Sequence, residues 1–298
     1  MLSDQPVKLN TLHSPLFTQY GVSMHIARLD LLHPIVSGNK IFKLHYFIKE
    51  ALKSSPKKIV TFGGAYSNHL VATAYYCQSL GIQCIGIVRG EKPAILSHTL
   101  MHCLDYGMEL EYISRNDYTR TETNYTVFKE KYKDCTIVPE GGYSHWGAMG
   151  AAKIMDNEAL HSATHICMAV GTATTLAGIV LNAKPTQEVI GIPVIKNMND
   201  LPDRLSFLTN DSTKKIPSFF NDYHFGGYSK KTNELIEFMN AFYTEFDIPT
   251  DFVYTAKMCY GVLDKISEGY FPKGSKICCL HTGGLQGNAS LSKGTLVF

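Results

Sequence analysis

The stretch "KKIVTFGGAYSNHLVATAYYCQSLG", residues 57–81, decides the fold. "KKIVTF" is a short apolar run with β-branched residues and reads as a strand. Two glycines turn the chain, and a helical pattern then runs from Asn68 and stops at Gly81. The same alternation recurs downstream. "QCIGIVRG" is a strand, "LSHTLMHCLDYG" a helix, "ELEYIS" a strand, "NYTVFKEKYKD" a helix and "TIVPEGG" a strand. "MGAAKIMDNEALH" reads as a helix, "HICMAVGT" as a strand, "TTLAGIVLNA" as a helix and "EVIGIPVI" as a strand. Two helices, "TNELIEFMNAFYTEF" and "AKMCYGVLDKISEG", precede a last strand, "SKICCLHTGG". Near-continuous apolar strands alternating with helices predict an α/β fold of parallel sheets covered on both faces. Two such units are expected, one before about residue 150 and one after. The sequence holds no low-complexity linker, coiled-coil heptad or solenoid repeat.

The 298 residues are 45% hydrophobic and 18% charged, enough apolar content for a buried core and too much for disorder. The net charge of +2 comes without a basic stripe, so nucleic acid is not an expected partner. No apolar run approaches the roughly 20 residues of a membrane span, and "MLSDQPVKLN" lacks a signal-peptide core. A soluble, cytoplasmic protein is expected. Its eight cysteines form no C-x-x-C pair and mostly sit in apolar runs, so buried thiols are expected rather than disulfides or a metal site.

In parallel sheets, ligands bind beyond the carboxyl ends of strands. Four such junctions are rich in Gly, Ser, Thr and Asn. In "TFGGAYSNHLVATA" the strand ends at Phe62, and Ser67, Asn68 and His69 open a helix whose free N–H groups suit a carboxylate. Ser67 and Asn68 are equally consistent with plain helix caps. In "MAVGTATTLAGIV", Gly171, Thr172, Ala173, Thr174 and Thr175 lead into a helix start that suits a phosphate, although this is neither a Walker A loop nor G-x-G-x-x-G. "CCLHTGGLQG" places Thr282 beside a Gly-Gly that admits close backbone approach, or simply turns. In "VYTAKMCYG", Tyr254 at a strand end is a core tyrosine or a proton donor, and Lys257 reads as solvated. A fifth segment, "SGNKIFKLHYF" (37–47), adds two lysines three apart. Together these parts suit pyridoxal phosphate, which needs a lysine for its aldehyde and a helix N-terminus for its phosphate.

The motifs "SGNKIFKL", "GGAYSNH", "GTATTLAG", "FGGY", "VYTAK" and "HTGG" resemble, in order from about residue 28 to 287, the 1-aminocyclopropane-1-carboxylate deaminase / D-cysteine desulfhydrase family. That family belongs to the tryptophan-synthase-β-like, fold type II pyridoxal-phosphate enzymes. The resemblance implies two αβα domains: residues 1–43 with 150–298 form a large cofactor-binding domain, and 44–149 a small one. It implies pyridoxal 5'-phosphate on Lys40, with Lys43 as an accompanying charge. Gly171 to Thr175 match the phosphate cup, Asn68 lies near the ring oxygen and Thr282 faces the ring nitrogen. Ser67, Asn68, His69 and Thr255 match substrate contacts, and Ser67, Tyr228 and Tyr254 match proton-handling positions. A homodimer is implied as well.

The sequence departs from the family at Ser37, at Phe42 where a basic residue is usual, and in the cup at Ala173 and Thr174. Thr255 stands where deaminase-type members carry an acid, and Thr282 where they carry leucine. A hydroxyl can donate to an unprotonated ring nitrogen, whereas a carboxylate favours the protonated ring. A neutral ring is the weaker electron sink and suits a good leaving group. The expectation is β-elimination from a small amino acid, converting D-cysteine to pyruvate, hydrogen sulfide and ammonia. The alternatives are deamination of aminocyclopropane-carboxylate, a racemase or lyase of the same fold, and a non-catalytic cofactor or amino-acid binder.

Overall fold

A computed structural model describes residues 5–119, 125–213 and 215–298. The chain opens with β1 (Leu9–Leu12), α1 (Pro15–Tyr20) and β2 (Ser23–Ala27). Helices α2 (Lys40–Lys43) and α3 (His45–Lys53) lead into β3 (Lys58–Gly63), α4 (Asn68–Ser79), β4 (Gln83–Arg89), α5 (His98–Asp105) and β5 (Met108–Ile113). Then come α6 (Arg115–Thr119), α7 (Tyr125–Lys131), β6 (Thr136–Val138) and α8 (His145–Ala152). The chain continues through β7 (His165–Val170), α9 (Thr174–Asn182), β8 (Glu188–Pro193), α10 (Leu201–Thr209) and β9 (Ser218–Phe219). It closes with α11 (Asn233–Phe246), α12 (Thr255–Ser267) and β10 (Lys276–Leu280).

Two sheets result. Residues 58–138 build a four-stranded sheet of order β5-β4-β3-β6, parallel throughout. The other sheet has six strands in the order β1-β2-β10-β7-β8-β9. It is parallel except at its edge, where β1 pairs antiparallel with β2, Leu9 opposite Ala27. The parallel sheets expected are present, and this edge pair is the departure from them. The connection between β1 and β2 is too short for a parallel crossover, and α1 reverses the chain within it. The last strand, β10, inserts between β2 and β7, so both chain halves share one sheet.

One apolar cluster runs from Ile59 and Val88 of the smaller sheet through Ile41, Phe42 and Ala148 to Ile166 and Val189 of the larger. Glycine makes this close packing possible. A Cβ on Gly150 of α8 would lie 2.2 Å from the Phe42 carbonyl oxygen, and one on Gly178 of α9 would lie 2.5 Å from that of Ala148. Phe42, the departure from the family's basic residue, is fully buried beneath α8. The helix expected over "MGAAKIMDNEALH" starts earlier, at His145, where Ser144 caps it, and loosens after Ala152 into 3-10 turns. The helix expected over "NYTVFKEKYKD" begins at Asn124, which lies outside the described residues. The eight thiols are free and seven are buried. Among the described residues, no helix is long and apolar enough to cross a membrane and no cluster could hold a metal ion.

Candidate active site

The junctions at the carboxyl ends of β3, β7 and β10 meet, with the start of α2, around one cavity of about 750 Å³. That is an ordinary size for a small-molecule site. Lys40 reaches its wall because of the two residues before it. Gly38 adopts φ +70°, and a Cβ there would lie 1.9 Å from the Thr282 carbonyl oxygen. Only glycine lets the loop bearing Lys40 rest on the loop bearing Thr282. Asn39 then ties three junctions together: its N–H donates to Thr282 O at 3.3 Å, and its side-chain amide donates to Thr175 Oγ1 at 2.8 Å. The Asn39 side-chain oxygen is buried without a protein partner. Burial pushes the Lys40 amine down to about 8, against the pull of the buried Asp251 carboxylate. Lys43, the accompanying lysine, is buried rather than solvated. Its amine is buried, donates to Gly141 O at 3.0 Å, and is pushed down to about 7 by burial and by Lys40.

Ser67 caps α4, its Oγ accepting from Leu70 N. Gly63 makes room for it, since a Cβ there would lie 2.6 Å from Ser67 Oγ. The capping reading of Ser67 holds, and the same residue lines the cavity. Asn68 is the first helical residue beside it. His69 is brought to the wall in a form that corrects its expected use. Thr61 Oγ1 donates to Val138 O at 3.0 Å and so accepts from His69 Nε2–H at 2.8 Å. Burial and the two lysines push the imidazole down to about 3. The neutral ring therefore keeps only an acceptor, Nδ1, which has no protein partner. A carboxylate can use the His69 backbone N–H, not this side chain.

Helix α9 starts at Ala173, in the left-handed region at φ +65°, with no side-chain cap. Its first-turn N–H groups have no partner within the helix. Gly171 packs against the Tyr254 ring, where a Cβ would lie 3.2 Å from Cε1. Thr172, Ala173 and Thr175 line the cavity. The Thr174 side chain does not; it is buried, with its hydroxyl 2.9 Å from that of Thr172. Thr174 can serve a ligand only through its backbone N–H.

Tyr254 does not end a strand: residues 252–254 form a turn before α12. Its Oη donates to Tyr228 Oη at 3.2 Å, and both phenols line the cavity. Burial raises both, Tyr254 well above the usual range, so both stay protonated at neutral pH. Thr255 is fully buried off the cavity, its hydroxyl donating to Asp251 Oδ2 at 2.6 Å, so its expected substrate contact is corrected. The side chain is committed to capping α12 through Asp251, which also accepts from the N–H groups of Val253, Tyr254 and Thr255. Lys257, read as solvated, is likewise fully buried and donates to His224 O and Gly227 O, each at 2.8 Å. Sequence reasoning also passed over Asn39, Arg89 and Glu140 on the wall. Asn39 and Arg89 stood beside signals already noted, the lysine segment and a strand end.

The model of the family described as "Pyridoxal-phosphate dependent enzyme" matches residues 6–283. The chain belongs to that family. It is 28% identical over 292 residues to a Thermotoga maritima protein provisionally named 1-aminocyclopropane-1-carboxylate deaminase, covering 90% of this chain and 91% of that one. It is 28% identical over 298 residues to the mitochondrial bifunctional D-cysteine desulfhydrase/1-aminocyclopropane-1-carboxylate deaminase of Arabidopsis thaliana, covering 90% and 73% of the two chains. A solved structure described as an ACC deaminase homologue superposes with a TM-score of 0.79 at 27% identity over 97% of this chain and 92% of that one. The family resemblance and fold type II architecture read from the motifs are borne out. The chain is a pyridoxal-phosphate-dependent enzyme of the lyase/deaminase kind, and pyridoxal 5'-phosphate is its cofactor. The residues present fit that group. An uncapped helix start suits its phosphate, a lysine of depressed pKa suits its aldehyde, and unpartnered buried polar atoms at Asn39 and His69 surround them.

Proposed function

We propose that this enzyme eliminates the β-substituent of a small amino acid in the manner of a D-cysteine desulfhydrase, turning D-cysteine and water into pyruvate, hydrogen sulfide and ammonia. The observation that carries the reading is the Thr282 hydroxyl on the cavity wall, with no carboxylate in its place. Such a hydroxyl suits a neutral cofactor ring and a reaction with a good leaving group. In this reading the N–H groups of residues 171–175 hold the cofactor phosphate, with Thr172 and Thr175 hydroxyls beside them. Lys40 meets the aldehyde, Asn68 the ring oxygen and Thr282 the ring nitrogen. Bound, pyridoxal phosphate supplies an electrophilic carbon for the substrate amine and a ring that draws electrons from Cα.

The chain's own groups do the rest. The substrate carboxylate docks on the α4 start, on the backbone N–H groups of Asn68 and His69 and the Ser67 hydroxyl. Lys40 Nζ, neutral in a large fraction of molecules near its depressed pKa, or Ser67 Oγ takes the Cα proton. Tyr254 directs its proton at Tyr228, which leaves the Tyr228 proton for the departing sulfur. The proposal includes the division into residues 1–43 with 150–298 and 44–149, a cytoplasmic location and a homodimer. A second reading, deamination of aminocyclopropane-carboxylate, is favoured by the names of the relatives.

The test is the visible absorbance of the purified holoenzyme with D-cysteine or aminocyclopropane-carboxylate, with keto acid assayed. Pyruvate from D-cysteine alone is the expected outcome. 2-Oxobutyrate from aminocyclopropane-carboxylate would move the second reading to the front. Lys40→Ala should lose the cofactor band and turnover together; parent-rate elimination by that variant would remove Lys40 from the mechanism.

A further inference from the structure

Two lysine or arginine side chains on the cavity wall, Lys43 and Arg89, are not used by the reading above; Lys43 is buried and donates to Gly141 O, which leaves Arg89. Arg89 ends β4 and lines the cavity. Its guanidinium faces the loop into α4, lying 3.3 Å from where a Gly64 Cβ would stand. Among the described residues no carboxylate stands within ion-pair distance of it. Its guanidinium stacks over the Tyr118 ring, 5.3 Å from Cζ to the centroid. Glu140, the acid on the same wall, is engaged otherwise, accepting from Tyr118 Oη at 2.8 Å. Val88 pairs with Gly63, so Arg89 sits one strand over from the helix start that takes the substrate carboxylate. Exposed Tyr66 and half-buried His98, their ring centroids 6.0 Å apart, also line the cavity. Arg89 is near enough to Tyr228 to favour that phenol's ionised form, against the effect of burial. A cation so placed, beyond the carboxylate site and beside a proton donor, meets the far end of the substrate.

Resting on the elimination reading, we infer that Arg89 selects amino acids whose β-substituent is an oxyanion, a phosphate ester or a sulfonate, and receives that group as it leaves. An arginine fork matches the paired oxygens of such a group. The step balances without an oxidant. The Cα proton goes to the protein base, and the Cβ–O or Cβ–S bond breaks with its electron pair on the departing phosphate or sulfite. Addition of water then gives pyruvate and ammonia.

The test compares kcat/KM of the holoenzyme for both enantiomers of O-phosphoserine, cysteate and β-chloroalanine, the last having a neutral substituent. The expected result is a preference of at least about tenfold for one oxyanion compound. In Arg89→Met that ratio should collapse, mainly through KM, with partial recovery in Arg89→Lys. Retention of the cofactor absorbance checks that the variants fold. Phosphate against sulfite release tells which substituent is meant. A parent that prefers β-chloroalanine, or an Arg89→Met that keeps the ratio, overturns this inference and leaves the elimination reading standing. A parent that releases pyruvate from D-cysteine but from none of these compounds overturns this inference alone; one that releases it from none of them and none from D-cysteine overturns both.

Discussion

Lys40 is placed by the residues before it rather than by its own contacts. Asn39 fixes the backbone to Thr282 and the side chain to Thr175, and Gly38 allows the approach that makes both bonds possible. Two glycines separate conformation from contact. Gly38 and Gly81 both have positive φ, +70° and +65°, but nothing lies within 4 Å of a Cβ on Gly81, whereas one on Gly38 overlaps Thr282 O. Gly81→Ala should therefore cost only the left-handed strain, about 1 kcal/mol. Gly38→Ala should cost about 3 kcal/mol or more and weaken cofactor retention, because the overlap adds to the strain. Urea unfolding of the two variants, with cofactor content measured, checks this. Equal losses would mean that the loops part easily and that Lys40 is held in another way.

Helix α12 does at the element scale what Asn39 does at the residue scale. Its N-terminus presents Tyr254, and one turn inside it Lys257 holds the loop that presents Tyr228. That loop turns through four residues of positive φ, Phe225, Gly226, Gly227 and Ser229, a backbone that keeps its shape only where something fixes it. Replacing Lys257 by Met removes two charge-assisted bonds and should cost about 2 kcal/mol. It should also lower kcat about tenfold while KM changes less, since the proposed carboxylate site on α4 is untouched. If kcat holds while stability falls, Lys257 is a structural brace only. This lysine also marks the limit of what the sequence reveals. The βα alternation and three of the four junctions were legible because period and turn residues are local signals; the fourth, at Tyr254, proved to be a turn and not a strand end. Lys257 was not legible, because an exposed and a buried lysine look alike at one helical position; its burial depends on carbonyls 30 and 33 residues away. Thr255 failed because its hydroxyl is taken locally by Asp251 in the α12 cap, and β1 escaped because a four-residue edge strand carries little pattern. The side chain of His69 departs from its expected use, since its donor is committed to Thr61 of β3.

Across the whole molecule, burial of ionisable groups gives stability a shape in pH. Lys40, Lys43 and Lys257 are pushed down to about 8, 7 and 8. Between those values and the ordinary lysine value of 10.5 the unfolded chain binds more protons than the folded one, so the three lysines make stability rise with pH. His69, lowered to about 3, adds a rise of the same sign up to about 6.5. The thiols act oppositely. Cys103 is raised to about 12, and Cys84, Cys259, Cys278 and Cys279 are raised by burial or by a neighbouring thiol. Above about 8.5 the unfolded chain gives up thiol protons that the folded chain keeps, and stability falls. The cofactor-free protein, reduced, should thus unfold at a higher urea midpoint at pH 8 than at pH 6.5, and at a lower one again at pH 10. Lys43→Met should flatten the rise between pH 6.5 and 8, because Lys43 is the lysine pushed lowest. If the cofactor engages Lys40 as proposed, the holoenzyme should show a shallower rise than the cofactor-free protein, because one of the three groups then leaves the titration. A midpoint that falls steadily from pH 6.5 would mean that these amines are hydrated in solution, and that the reactivity assigned to Lys40 needs another source.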